Sequence, residues 1–231
     1  MKQLKMRMAD NTPKTAAELL GVQEVAKHSR DRLVDTAIDL CYHHGFNAVG
    51  LDRIISEVGI TKTTFYKHFE SKDDLLVEAI RKRDVWESQA WKNEVRQRAG
   101  DDARGQLLAL FDVLDVWFND PAFNGCLFIN AAAEFPNPHD PVHQAAASYK
   151  KKMRNDIRDM ARSLAAKDAE SFADLYVTIF EGTLILRQVH GRNDAAKVAK
   201  KLAEQLIAEQ LPSKDGDSLI PSSTGRGKNM E

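Results

Sequence analysis

The chain has 231 residues, 43% hydrophobic and 29% charged, the composition of a folded globular protein of one or two domains. No apolar run approaches the roughly 20 residues that span a membrane, and the basic N-terminus (Lys2, Lys5, Arg7) lacks the apolar stretch of a signal peptide. Cys41 and Cys126 make neither a disulfide framework nor a zinc site, so a reduced, cytoplasmic protein with no membrane partner is expected. The formal net charge of −1 does not by itself announce a nucleic-acid partner.

Apolar spacing is helical along the chain and no period-2 strand stands out, so the fold class is all-α. Leu33, Ala37, Leu40, Cys41 and His44 mark a first helix, with Ser29 as its expected N-cap and Gly45 as its C-terminal cap. Leu51, Ile54, Ile55 and Val58 follow the i, i+3, i+4, i+7 rule and stop at Gly59. A third, short helix over 62–69 carries Phe65 and Phe69 one turn apart, and Ser71 with Asp74 opens a longer fourth helix bearing Leu75, Leu76, Ala79 and Ile80. A loop is expected over 98–105. Further helices are expected over 107–118, 126–135, 142–164, 168–189 and 194–211, broken by Asn119-Asp120-Pro121 and by Pro136, Pro138 and Pro141. Residues 1–26 form a polar extension, and 212–231, rich in Ser, Gly and Lys, are expected to be disordered.

The function lies in the second and third helices. Gly59, Ile60 and Thr61 join them: the glycine permits a left-handed backbone, Ile60 fills the angle, and Thr61 caps the next helix. Two helices at a steep angle across such a turn form a helix-turn-helix, here over 51–70, whose second helix enters the major groove. With Phe65 and Phe69 inward, Thr63, Thr64, Lys67 and His68 face outward and Tyr66 lies at the margin, side chains suited to base edges and phosphate oxygens. Charge alone is a weak argument. From Lys27 to Arg83 ten Lys and Arg stand against nine Asp and Glu, and Lys62, Lys67 and Lys72 against Glu70 fit a solvated helix face as well as a phosphate-tracking one.

The run GITKTTFYKHFESKDDLL resembles the signature of TetR-type transcriptional regulators, through Gly59, Ile60, Thr61, Thr64, Tyr66, Phe69, Lys72, Leu75 and Leu76. The upstream Cys41-Tyr42-His43-His44-Gly45-Phe46 also fits, and the detailed likeness covers about Ser29 to Arg83. It implies that Thr64 and Tyr66 contact DNA, that Lys67 and His68 lie near phosphates, and that Lys72 binds a phosphate at the start of the fourth helix. Tyr66 also fits a packing role, Lys67 a solvated charge, and Thr61 a cap more than a DNA contact. Gly50 departs from the family's usual threonine and offers no hydroxyl, so Arg53 is the candidate to compensate, and Thr63 replaces a smaller residue and can add a base-edge contact.

The resemblance further implies a 27–87 helix-turn-helix domain joined by a linking helix to an 88–211 ligand-binding and dimerisation body. One recognition helix covers too little DNA, whereas a two-fold dimer presents two about 34–36 Å apart to a palindromic operator. Phe172, Leu175, Tyr176, Ile179, Leu184, Val198, Leu202 and Leu206 are the expected homodimer face, although these stripes also fit a monomer core. Trp117, Phe118, Phe128, Phe135, Met153 and Phe180 are the expected lining of a pocket for a small apolar or amphipathic ligand, or else a filled core. His139, His143, Asp140 and Glu134 have a metal-like spacing, but the prolines interrupt it, and neither metal nor cofactor is expected. The expected function is thus a ligand-released repressor; a regulator or activator without such a switch is the alternative. An enzyme is not expected, since no phosphate loop, nucleophile elbow or paired-metal constellation appears.

Overall fold

The structure, a computed structural model, describes residues 28–212. The polar extension over 1–26 and the tail over 213–231 lie outside the described residues. Among those described, nine helices and no strand are present: α1 Ser29–His44, α2 Leu51–Val58, α3 Lys62–Tyr66, α4 Lys72–Ala99, α5 Ala103–Asn119, α6 Leu127–Glu134, α7 Pro141–Ser163, α8 Ala169–His190 and α9 Ala195–Gln210.

Most boundaries follow local chemistry. Gly59 (φ 72°, ψ 41°) ends α2 in the left-handed region, with its N–H on Ser56 and the N–H of Ile60 reaching back to the carbonyl of Ile55. The Ser71 hydroxyl accepts the N–H of Asp74 at the head of α4, and Asp168 caps α8 through the N–H groups of Glu170 and Ser171.

Three boundaries differ from expectation. Ser29 is the first helical residue of α1, not its cap; His28 holds the cap position without a side-chain bond. The loop expected over 98–105 shrinks to residues 100–102, because α4 continues to Ala99 and α5 already starts at Ala103. Pro141 does not interrupt α7 but begins it, at the position where a missing N–H costs nothing, with Asp140 capping Val142.

Helices α1–α3 and the first turns of α4 form a head whose core includes Leu33, Ile54, Phe65, Leu75, Leu76 and Ile80, all fully buried. The same apolar cluster runs on into a body built from the rest of α4 and α5–α9. There α4 packs on α5 and α7, α8 on α7 and α9, and α9 on α5. Polar groups are satisfied across elements: the buried Tyr176 hydroxyl donates to the Leu107 carbonyl at 2.6 Å, and the half-buried Lys150 pairs with Glu181 at 2.8 Å. No helix among the described residues is long and apolar enough to cross a membrane.

Candidate nucleic-acid interface and ligand cavity

The α2–turn–α3 unit is held from inside. Phe65 and Phe69 are buried with stacked rings, centroids 5.8 Å apart, as the apolar register requires. Thr61 caps α3: its Oγ1 accepts the N–H of Thr64 at 3.1 Å and lies 3.0 Å from the Thr64 hydroxyl. Lys62 pairs with Asp52 of α2 at 2.7 Å, and this bonded carboxylate holds its ammonium above the usual lysine range.

Thr63, Tyr66 and Lys67 occupy one exposed face at i, i+3, i+4 spacing, and the Tyr66 side chain is 58% exposed. Arg53 is exposed on α2. Among the described residues neither Arg53 nor Lys67 makes an ion pair, which leaves both cations available to an anionic partner. Thr64 is half-buried, its hydroxyl turned to Thr61.

Two candidates point elsewhere than expected. The regular part of α3 ends at Tyr66, three residues short of the expected end, so His68 sits in a turn; it is half-buried, with Nε2 2.7 Å from the Ser29 hydroxyl. Lys72 is half-buried as well, and its ammonium donates to the Phe46 carbonyl at 2.7 Å. Both tie parts of the head together instead of projecting from it.

In the body, a cavity of about 110 Å³ lies between α4, α5, α7 and α8. Trp91, Leu107, Leu110, Tyr149, Met153 and Phe180 form its apolar wall, and Lys92 and Lys152 stand with Asp156 among its polar lining. Of the expected lining residues, Met153 and Phe180 are in place. Trp117 and Phe118 instead pack around Phe123, with centroids 5.0 and 5.3 Å away; Phe128 stacks behind Tyr149 at 3.7 Å; Phe135 packs against Phe46. Next to the cavity Glu87, 4% exposed, accepts from Arg83 Nε at 2.8 Å and from the Tyr149 hydroxyl at 3.2 Å. Burial first, and the Glu87 charge second, push the Tyr149 phenol well above its ordinary range, so it stays a neutral donor. Trp91 and Tyr149 escaped the sequence reading; the i, i+4, i+8 spacing of Glu87, Trp91 and Val95 along α4 was the signal for Trp91, and the i, i+4, i+7 spacing of Val142, Ala146 and Tyr149 along α7 the signal for Tyr149.

The expected dimer face divides in two. Phe172, Tyr176, Leu184 and Leu206 are buried within the protomer, because α8 and α9 turn these positions onto α5 and α7, and so they cannot meet a second copy. Leu175, Val198 and Leu202 are exposed, joined by Ile185, Leu186 and Val189, and Ile179 is half-buried. The metal-like quartet is engaged otherwise: His143 Nδ1 lies 2.7 Å from the Phe135 carbonyl, and the Glu134 carboxylate accepts two backbone N–H groups.

Residues 33–79 match the family described as bacterial regulatory proteins, tetR family, and residues 103–203 match the tetracyclin repressor-like C-terminal domain. The HTH-type transcriptional regulator YjdC of Escherichia coli (strain K12) is 24% identical over 182 residues, 77% of this chain and 93% of its own length. The HTH-type transcriptional repressor NemR of Escherichia coli (strain K12) is 27% identical over 107 residues, 46% of this chain and 53% of its own. A solved TetR-family transcriptional regulator from Streptomyces coelicolor shares the fold with a TM-score of 0.69 at 26% identity, over 79% of this chain and 95% of that one. With the capped helix-turn-helix at one end and the helical body at the other, the chain belongs to the TetR family of DNA-binding transcriptional regulators.

Proposed function

We propose that the protein is a homodimeric repressor in the cytoplasm that reads a palindromic operator and leaves it when a small ligand enters the body. The observation that carries DNA reading is the exposed set Thr63, Tyr66 and Lys67 on a helix fixed by Thr61, with Arg53 beside it on α2. Thr61 and Thr64 support this face and Thr64 reaches DNA at its edge; His68 and Lys72 act by holding the head in shape. The head is taken as 27–87 and the body as 88–211, with α4 running unbroken through both.

The exposed apolar side chains Leu175, Leu186, Val189, Val198 and Leu202 support self-association through α8 and α9, since a patch of this kind marks a partner surface. The cavity supports a ligand with a ring-sized apolar part, because an apolar void of this scale accepts a benzene-like group. Glu87 is already matched by Arg83 and Tyr149, so a buried cationic group on the ligand finds no unmatched carboxylate there, which favours a neutral buried part. That a relative carries the name transcriptional repressor supports the sign of regulation.

The test is selection of bound sites from random duplex DNA, followed by fluorescence anisotropy on the selected site with neutral aromatic compounds added. A palindromic site released by at least one such compound is expected. Half-sites without two-fold symmetry contradict the dimeric reading, and binding that no compound weakens points to a regulator without a switch.

A further inference from the structure

Helix α6 ends at Glu134, and its carboxylate reaches the loop between α1 and α2. Oε1 accepts the N–H of Phe46 at 2.9 Å and Oε2 the N–H of Asn47 at 2.7 Å. The Asn47 side-chain amide donates back to the Glu134 carbonyl at 3.2 Å. Beside them Phe46 is buried with its ring edge-on to Phe135, centroids 6.1 Å apart. The other side of Phe46 is also held, since its carbonyl accepts the Lys72 ammonium. Gly45 makes room for this arrangement: a Cβ there would stand 3.0 Å from Glu134 Oε1, and its φ of +86° suits glycine. A second contact lies nearby, where the backbone N–H of Asn124 donates to the Tyr42 hydroxyl at 2.8 Å.

We infer that Glu134 is a positioning residue that fixes the orientation of the DNA-reading head on the body and thereby sets the half-site spacing the dimer accepts. This rests on the dimeric reading above. The only covalent link between head and body is α4, and a rod alone does not set the roll of the head about its axis, which depends on the shared apolar core and on the polar contacts across the junction. A carboxylate accepting two backbone N–H groups is a charge-assisted attachment with defined direction. It joins the end of α6 in the body to the α1–α2 loop of the head, 88 residues from Phe46 in sequence, and so opposes the rolling motion. In a two-fold dimer any roll of the heads changes the separation and phase of the two recognition helices, while one inserted base pair turns a half-site by about a tenth of a helical turn.

The test uses the full chain as wild type, Glu134→Gln and Glu134→Ala, with sedimentation for oligomeric state and thermal melting for fold. Each is titrated with operators whose central spacer is changed by one or two base pairs in either direction. The wild type should favour one spacing over its neighbours by about tenfold or more, and Glu134→Ala should flatten that preference to about threefold or less. Glu134→Gln keeps the shape of the side chain and one acceptor oxygen, and should fall between them even if the alanine variant melts early. A uniform loss of affinity at every spacing, with the preference intact in both variants, overturns the inference. So does a wild type indifferent to spacing; a monomeric wild type overturns the dimeric reading along with it.

Discussion

The backbone N–H of Thr64 donates to the Thr61 hydroxyl at 3.1 Å, and this bond caps the first turn of a five-residue recognition helix, which the Phe65 N–H closes on the Thr61 carbonyl. A helix that short has no stability of its own, so the cap and the buried Phe65 together define it. Thr61→Ala should lower global stability by about 1 kcal/mol, as lost caps do. It should also weaken operator binding, while Thr61→Ser should restore both. Melting and anisotropy on the three proteins check this.

The exposed and buried halves of the α8–α9 stripes should respond differently to substitution. Val189→Lys with Leu202→Glu should yield a folded monomer, because both side chains are exposed in the protomer. Phe172→Ala should instead cost about 3–5 kcal/mol of stability, as expected for a fully buried ring. Sedimentation and denaturant unfolding separate the two outcomes; a dimer that survives the double charge substitution would move the interface elsewhere.

The cavity predicts a separation of binding from release. Met153→Phe places a rigid ring in the void and should leave operator affinity near that of the wild type while abolishing release by a compound that acts on the wild type. Retained release would take the ligand out of this cavity.

Both cysteines should be chemically silent. Burial pushes the Cys41 thiol up to about 12, despite the opposing pull of Lys72, and full burial likewise raises Cys126. At pH 8 both are therefore protonated and shielded. A small alkylating reagent should modify neither in the native protein and both after denaturation, as read by mass spectrometry; native labelling of Cys41 would mean that α1 opens.

The head was largely legible in the sequence because its boundaries are local. Gly59, Thr61 and Ser71 each act on a backbone group within a few residues, and the apolar register assigned Phe65 and Phe69 to the interior. The direction of His68 was not legible, since helical register stops applying where α3 stops, and its partner Ser29 is 39 residues away. The body was less legible for a related reason. Helix α8 is apolar on two sides, and periodicity reveals the stripes without saying that Phe172 and Tyr176 face inward while Leu186 and Val189 face out. Glu134 shows the same limit: next to His139 and His143 it has metal-like spacing, and only the packed structure brings Phe46 and Asn47 to its oxygens.

The most direct test of the central claim is salt-dependent binding of the selected operator by Tyr66→Ala and Lys67→Ala, both at exposed positions whose loss should leave melting unchanged. Each should weaken binding by about tenfold, and Lys67→Ala should also reduce the slope of log affinity against log salt by about 1. Operator affinity and salt slope equal to those of the wild type in both folded variants would contradict α3 as the element that reads DNA.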